Sequence, residues 1–158
     1  KVPEPLIQKN FSRIMSLKDA TKKMSKSDPS DLTRINLTDD RDLIISKIKK
    51  AKTDSKPMPS IEENLDKRPE AENLLGIYSS LSNQNLERSK KEFEGKNFSE
   101  FKEKLSDLLI DKISPISDEI KKLLNDKKYL DDILLEGSEK ANEIAYKKIK
   151  EMKKLIGF

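Results

Sequence analysis

Three ammonium groups and two hydroxyls stand within six residues, Lys22 to Ser27, and Pro29 then keeps the run from continuing as a helix. A lysine ammonium is a compact charge on a flexible stem that can follow a phosphate as charge builds on it. The Ser25 and Ser27 hydroxyls and the loop N–H groups can bond the same oxygens. Three residues apart, Lys23 and Lys26 can both approach one triphosphate if the loop closes. A run of Lys and Ser this short also describes an ordinary solvated turn, so its surroundings must decide.

Other chemistry is scarce. With no Cys there is no disulfide framework and no thiolate metal site, and with no His the usual metal ligand and neutral-pH general base are missing. The remaining candidates are Lys, Ser, Asp and Glu, and the reading assigns no metal ligand. Leu, Ile, Val and Phe together make 41 of 158 residues, enough for a folded chain. Charged residues at 39% and aromatics at 5% predict a thin, aliphatic core that could lean on a partner domain. Residues 1–60 carry 14 Lys/Arg against 8 Asp/Glu, whereas 61–158 carry 19 against 21. Positive charge therefore gathers around the Lys22–Ser27 segment, where a polyanion would be met. No apolar run approaches the ~20 residues of a membrane span, so cytosol or an organelle matrix is the expected location.

The elements that must position the loop are helical. Residues 1–31 read as an extended connector, with Arg13–Leu17 a candidate edge strand and Arg34–Leu37 a brief extended stretch. Thr38 or Asp39 can cap a helix with the stripe Ile44, Ile48 and Ala51, its end carrying Lys49, Lys50 and Lys52. Pro57 and Pro59 mark 53–67 as linker. Pro69 fits a first helical position, and Leu74, Leu75, Ile77, Tyr78 and Leu81 give that helix a broad apolar face. A short helix follows over Leu86–Phe93, stopped by Gly95. The next begins near Asn97 and meets a break or kink at Pro115. A last helix runs through Leu130 to Leu155 with a bend or a tight helix contact near Gly137. The fold class predicted is mainly α, bundle-like, preceded by the loop and a short extended connector.

Lys23-Met24-Ser25-Lys26-Ser27 resembles the KMSKS signature of class I aminoacyl-tRNA synthetases. Its flanks, Arg13–Leu17 and Asp28-Pro29, are similar to the tryptophanyl-tRNA synthetase version. Further landmarks follow in that family's order: Leu37–Asp40, Lys47–Ala51, Thr53-Asp54-Ser55, Arg68-Pro69-Glu70, Asn73–Tyr78, Phe93–Lys96, Phe101-Lys102, Pro115-Ile116 and Glu136–Asn142. The family's Rossmann-type half carries a His-Ile-Gly-His signature, which a His-free chain cannot hold. The resemblance thus implies a C-terminal half: 1–38 the end of the catalytic domain, 39–68 a linking helix and linker, 69–158 a helical tRNA (anticodon) domain.

The resemblance implies ATP, with Mg²⁺ on its phosphates, as the ligand of Lys23, Met24, Ser25, Lys26 and Ser27. Lys26 would be the principal catalytic group and Lys23 its assistant. It also implies tryptophan, whose pocket lies outside this segment, tRNA(Trp), and a homodimer of the full-length protein, with this segment alone inactive. The rival readings are a helical RNA-binding or interaction module without activity, and the equivalent part of a tyrosine enzyme. Ser30 and Lys52 depart from the usual pattern, and Asn97-Phe98-Ser99 replaces a common Gly-rich turn. Asn73 could bond backbone or reach RNA.

Overall fold

A computed structural model describes residues 2–6 and 11–157. Among the described residues five α-helices follow one another, α1 Arg41–Lys49, α2 Pro69–Ser82, α3 Leu86–Phe93, α4 Phe98–Asn125 and α5 Lys127–Leu155, with short 3-10 turns at Asp31–Thr33 and Leu65–Lys67. Among the described residues no strand forms. The candidate edge strand at Arg13–Leu17 contributes only an isolated antiparallel bridge between Met15 and Lys23, and the mainly α class holds. The chain divides into two compact units, Lys1–Ser117 and Asp118–Phe158.

In the first unit the helix ends follow local chemistry. Asp40, not Thr38 or Asp39, caps α1, accepting from the Leu43 N–H at 2.8 Å. The sequence placed the cap one residue early because Asp39 carries the same side chain. Asp39 is instead buried against Lys47. The far end of α1 collects cations, as its dipole favours, but two of them come from outside the helix. Lys18 Nζ donates to the Lys50 carbonyl at 2.9 Å, and Lys102 Nζ to the Ala51 carbonyl at 2.7 Å. Burial pulls the Lys102 ammonium below its ordinary pKa.

Pro69 opens α2 at its first turn, and Asn83, at φ 56°, closes it in the left-handed conformation that Asn tolerates. Gly95, at φ 72°, ends the turn after α3, where a side chain would be strained. Pro115 lies inside α4, which continues to Asn125 rather than breaking.

The core is aliphatic with one aromatic knot. Ile44 and Ile48 of α1, Leu74 and Leu75 of α2, and Leu105 and Leu109 of α4 share it with Leu17, Met58 and Leu65 from the irregular segments. Tyr78, Phe93 and Phe101 meet edge-on or tilted, with ring centroids 4.8–5.9 Å apart. Such pairs add about 0.5–1.5 kcal/mol beyond area burial. Burial, helped by a hydrogen bond to Glu92, pushes the Tyr78 hydroxyl up to about 12.

Val2 and Leu6 are fully exposed, whereas Leu17 is buried. Ile7 of the same stretch lies outside the described residues.

The second unit holds the end of α4 and α5. Asp126 caps α5 by accepting from the Tyr129 N–H at 3.0 Å. Pairs such as Lys140–Glu136 and Lys148–Glu151 line α5's surface. None of its residues is buried, and Leu134, Ile144 and Tyr146 are exposed.

Candidate phosphate-binding loop

The segment with the lysines returns on itself. Ser16 N–H donates to the Lys22 carbonyl at 2.8 Å and Met24 N–H to the Ile14 carbonyl at 2.9 Å, so residues 14–16 and 22–24 run antiparallel. The turn between them is set by Asp19, which accepts from the Thr21 N–H and hydroxyl and pairs with Lys22 at 3.2 Å. Those hydrogen bonds, with the Lys22 contact, hold the Asp19 carboxyl below its usual value. Leu17 fixes the other edge: its N–H donates to the Thr33 carbonyl at 2.9 Å, and its carbonyl accepts from Lys52 N–H at 2.7 Å.

Beyond Met24, whose half-buried side chain packs on the core, the loop has only local hydrogen bonds. Ser25 and Ser27 share one between hydroxyls at 3.0 Å, and Ser30 N–H caps the Asp28 carboxylate at 2.8 Å. Such side chain-to-backbone bonds are the usual geometry of tight turns.

The loop's exit is pinned by charge. Lys47, 0% exposed, places its ammonium 2.6 Å from both Asp31 and Asp39. Asn36 donates to both carboxylates, at 2.9 and 3.1 Å, and Arg34 reaches Asp31 at 3.0 Å and the Asp28 carbonyl at 2.9 Å. The Lys47 and Asn36 hydrogen bonds hold the Asp31 carboxyl below the usual carboxylate range.

Lys23, Ser25, Lys26 and Ser27 are exposed between these two anchors. Among the described residues neither Lys23 nor Lys26 makes an ion pair, unlike Lys22, Lys47 and Lys52. Two uncommitted ammoniums and two hydroxyls on a short anchored loop form a donor set suited to a polyphosphate. The five residues singled out in the sequence therefore share one loop, with Met24 as its apolar foot.

Several residues that hold this arrangement were not singled out. Lys47 and Asp31 read as surface charge until the fold brings them together, and Asp39 reads only as a helix cap. Asn73 proves to bond backbone: its carboxamide, in a residue 7% exposed, accepts from Met15 N–H and donates to the Met15 carbonyl, both at 2.9 Å.

The family model described as class I tRNA synthetases (W and Y) matches residues 1–114. The chain is 51% identical over 155 residues to the tryptophan–tRNA ligase of Rhizobium meliloti, covering 98% of this chain and 44% of that protein. It is 50% identical over 158 residues to that of Rickettsia felis, covering 100% and 47%. Tryptophanyl-tRNA synthetase from Mycoplasma pneumoniae superposes at a TM-score of 0.75 and 24% identity, over 96% of this chain and 45% of that one; that likeness is of fold. The chain spans less than half the length of these relatives.

Proposed function

This chain belongs to the class I tRNA synthetases of the tryptophan and tyrosine group, and we propose that it is the carboxy-terminal portion of a tryptophan–tRNA ligase. In that reaction the tryptophan carboxylate attacks the α-phosphorus of ATP, and pyrophosphate leaves with the electrons of the broken P–O bond. The adenylate then passes its aminoacyl group to tRNA(Trp). Relatives at about 50% identity carry the tryptophan name, which favours tryptophan over tyrosine and a ligase over an inactive binding module.

The observation that carries this reading is the pair Lys23 and Lys26, exposed and, among the described residues, free of ion pairs on a loop anchored at both ends. Charge builds on the leaving oxygens during activation. A cation that tightens its contact only then lowers the barrier without merely binding ATP more tightly. Lys26 takes the principal role and Lys23 assists. Ser25, Ser27 and the Met24 backbone shape the loop. The donor set suits the polyphosphate of ATP, and Mg²⁺ would ride on the phosphates.

Residues 1–38 then close the catalytic domain, 39–68 link, and 69–158 bind tRNA, with a homodimer as the full-length assembly. Among the described residues no helix is long and apolar enough to cross a membrane, and the cytoplasm is the proposed location.

Lys26→Ala in the full-length ligase tests the reading. The rate of ATP–pyrophosphate exchange should fall on the order of a hundredfold, with far less change in ATP ground-state binding. Lys23→Ala should act in the same direction but less. Lys147→Ala, on exposed α5, should leave activation unchanged. Equal behaviour of Lys26→Ala and Lys147→Ala would overturn the assignment.

A further inference from the structure

Asn73 turns its side chain into the protein rather than towards solvent. It lies one turn into α2, and its buried carboxamide is spent on the backbone of Met15, 58 residues earlier in the chain. Both main-chain groups of Met15 go to Asn73 at 2.9 Å. Those of its neighbours point the other way: the Ile14 carbonyl takes the Met24 N–H, and the Ser16 N–H goes to the Lys22 carbonyl. The side-chain amide thus stands in for a third strand beside the 14–16/22–24 pair. Met15 lies directly opposite Lys23 in that pair. Three residues along α2, the Phe11 ring occupies the place where a Cβ of Gly76 would sit. The connector is therefore seated on α2 at two points, Phe11 on Gly76 and Met15 on Asn73.

From this geometry we infer that Asn73 is a positioning residue for the phosphate-binding loop, setting where Lys23 and Lys26 stand through the Met15–Lys23 pair. The inference rests on the ligase reading above. Asn is suited to the task because its amide presents one acceptor and a donor side by side, matching the N–H and C=O of one extended residue. Any other side chain of similar size leaves one of the two Met15 groups unpaired. A group held by such a clamp does not touch ATP. Its loss would let the loop base drift, and misplacement by an ångström far from the chemistry can cost about a hundredfold in rate.

The test is a double-mutant cycle in the full-length ligase, read by ATP–pyrophosphate exchange at varied ATP. Asn73→Ala should lower kcat at least about tenfold with a much smaller change in KM for ATP, since the contact it supports is made in the transition state. Asn73→Asp keeps the acceptor but turns a carboxylate oxygen onto the Met15 carbonyl in a buried site, and should lose at least as much as Asn73→Ala. On a Lys26→Ala background, Asn73→Ala should cost much less than it does alone, because the principal lysine it positions is gone and only the assisting Lys23 remains. Asn85→Ala, which removes the side-chain cap of α3, is a destabilised control and should activate tryptophan normally.

Independent of activity, the Ser16 and Met24 amides should exchange faster in Asn73→Ala, while those of α4 keep their protection. Full additivity of Asn73→Ala and Lys26→Ala, or wild-type exchange kinetics in Asn73→Ala, would overturn the positioning role. If Lys26→Ala itself activates tryptophan like wild type, it is the ligase reading of the loop that fails, and the cycle shows this separately.

Discussion

Arg68 closes on Asp54 through two parallel hydrogen bonds of 2.8 Å, Nε to one carboxylate oxygen and Nη2 to the other. The same guanidinium reaches Glu63 at 3.2 Å and the Pro57 carbonyl at 2.8 Å. One side chain at the residue before α2 therefore ties the irregular 53–67 segment to the start of the helix that carries Asn73. The fork geometry is one that only arginine supplies.

Arg68→Lys should therefore not behave as a conservative change. It keeps the charge but cannot span both Asp54 oxygens while reaching Pro57, and should cost about 1–3 kcal/mol in urea denaturation. Arg68→Ala should cost more. It should stay below the ~3–5 kcal/mol of a fully buried broken pair, because Asp54 and Glu63 can turn to water. A Lys variant as stable as wild type would mean the fork contributes nothing.

Acid should loosen both the Arg68 fork and the pinned exit of the loop. Burial alone would raise the Asp54 carboxyl, but the hydrogen bonds from Arg68 and the Lys56 N–H outweigh it and leave it lowered from 3.8. Asp31 is also lowered from 3.8, by Lys47 and Asn36. Carboxyls depressed in the folded state stabilise it above their unfolded value, and that contribution is lost as pH falls through the folded value. The urea midpoint should hold from neutrality to about pH 5 and fall below the ordinary carboxylate range. In Asp54→Asn the fall should be shallower, and an unchanged acid limb would remove Asp54 from this account.

The helices were legible because their periodicity is strong and their stops are Pro, Gly and Asn. Pro69, Gly95 and the pair Ile44–Ile48 each did in the structure what their chemistry predicts, while Ala51 is buried just beyond the end of α1. The loop was legible because Lys and Ser crowd at Lys23–Ser27. Its supports were not. Asp31, Asp39 and Lys47 are scattered charges whose meeting depends on a turn that no local pattern announces. Asn73 sits in a Leu-rich helical stretch where its spacing says only that it shares a face. Of the two outcomes open at Pro115 the break did not occur, because α4 carries the proline without ending.

Lys47 should be the most expensive single charge to remove. Its ammonium is buried between Asp31 and Asp39, and Asp39 is itself 4% exposed. Lys47→Met would leave the Asp39 carboxylate buried with only Asn36 for company, at a cost of about 3–5 kcal/mol. Adding Asp39→Asn should recover a large part, since the stranded charge and not the missing bond dominates the loss. The comparison is made by urea denaturation of the two variants. If the double variant is no more stable than Lys47→Met, the uncompensated carboxylate is not the cause.

The last expectation concerns the loop under ligand. Between Met24 and Asp31 its hydrogen bonds are short-range and mostly exposed, such as Asp28 N–H to the Ser25 carbonyl at 3.4 Å. Segments held this way open most easily, and a loop that closes over a ligand is drawn from that class. In the full-length ligase, amide exchange across Ala20–Asp31 should slow when ATP and a tryptophan analogue bind together. Slowing should reach Ser25 to Ser30, because the anchors at Met15 and Asp31 already hold the loop's ends. Lys26→Ala should lose most of that protection, since the ammonium is the group proposed to draw the loop onto the phosphates. Lys147→Ala should retain it. Exchange indifferent to both ligands would leave Lys23 and Lys26 as ordinary solvated charges, and the phosphate-gripping role would fall with them.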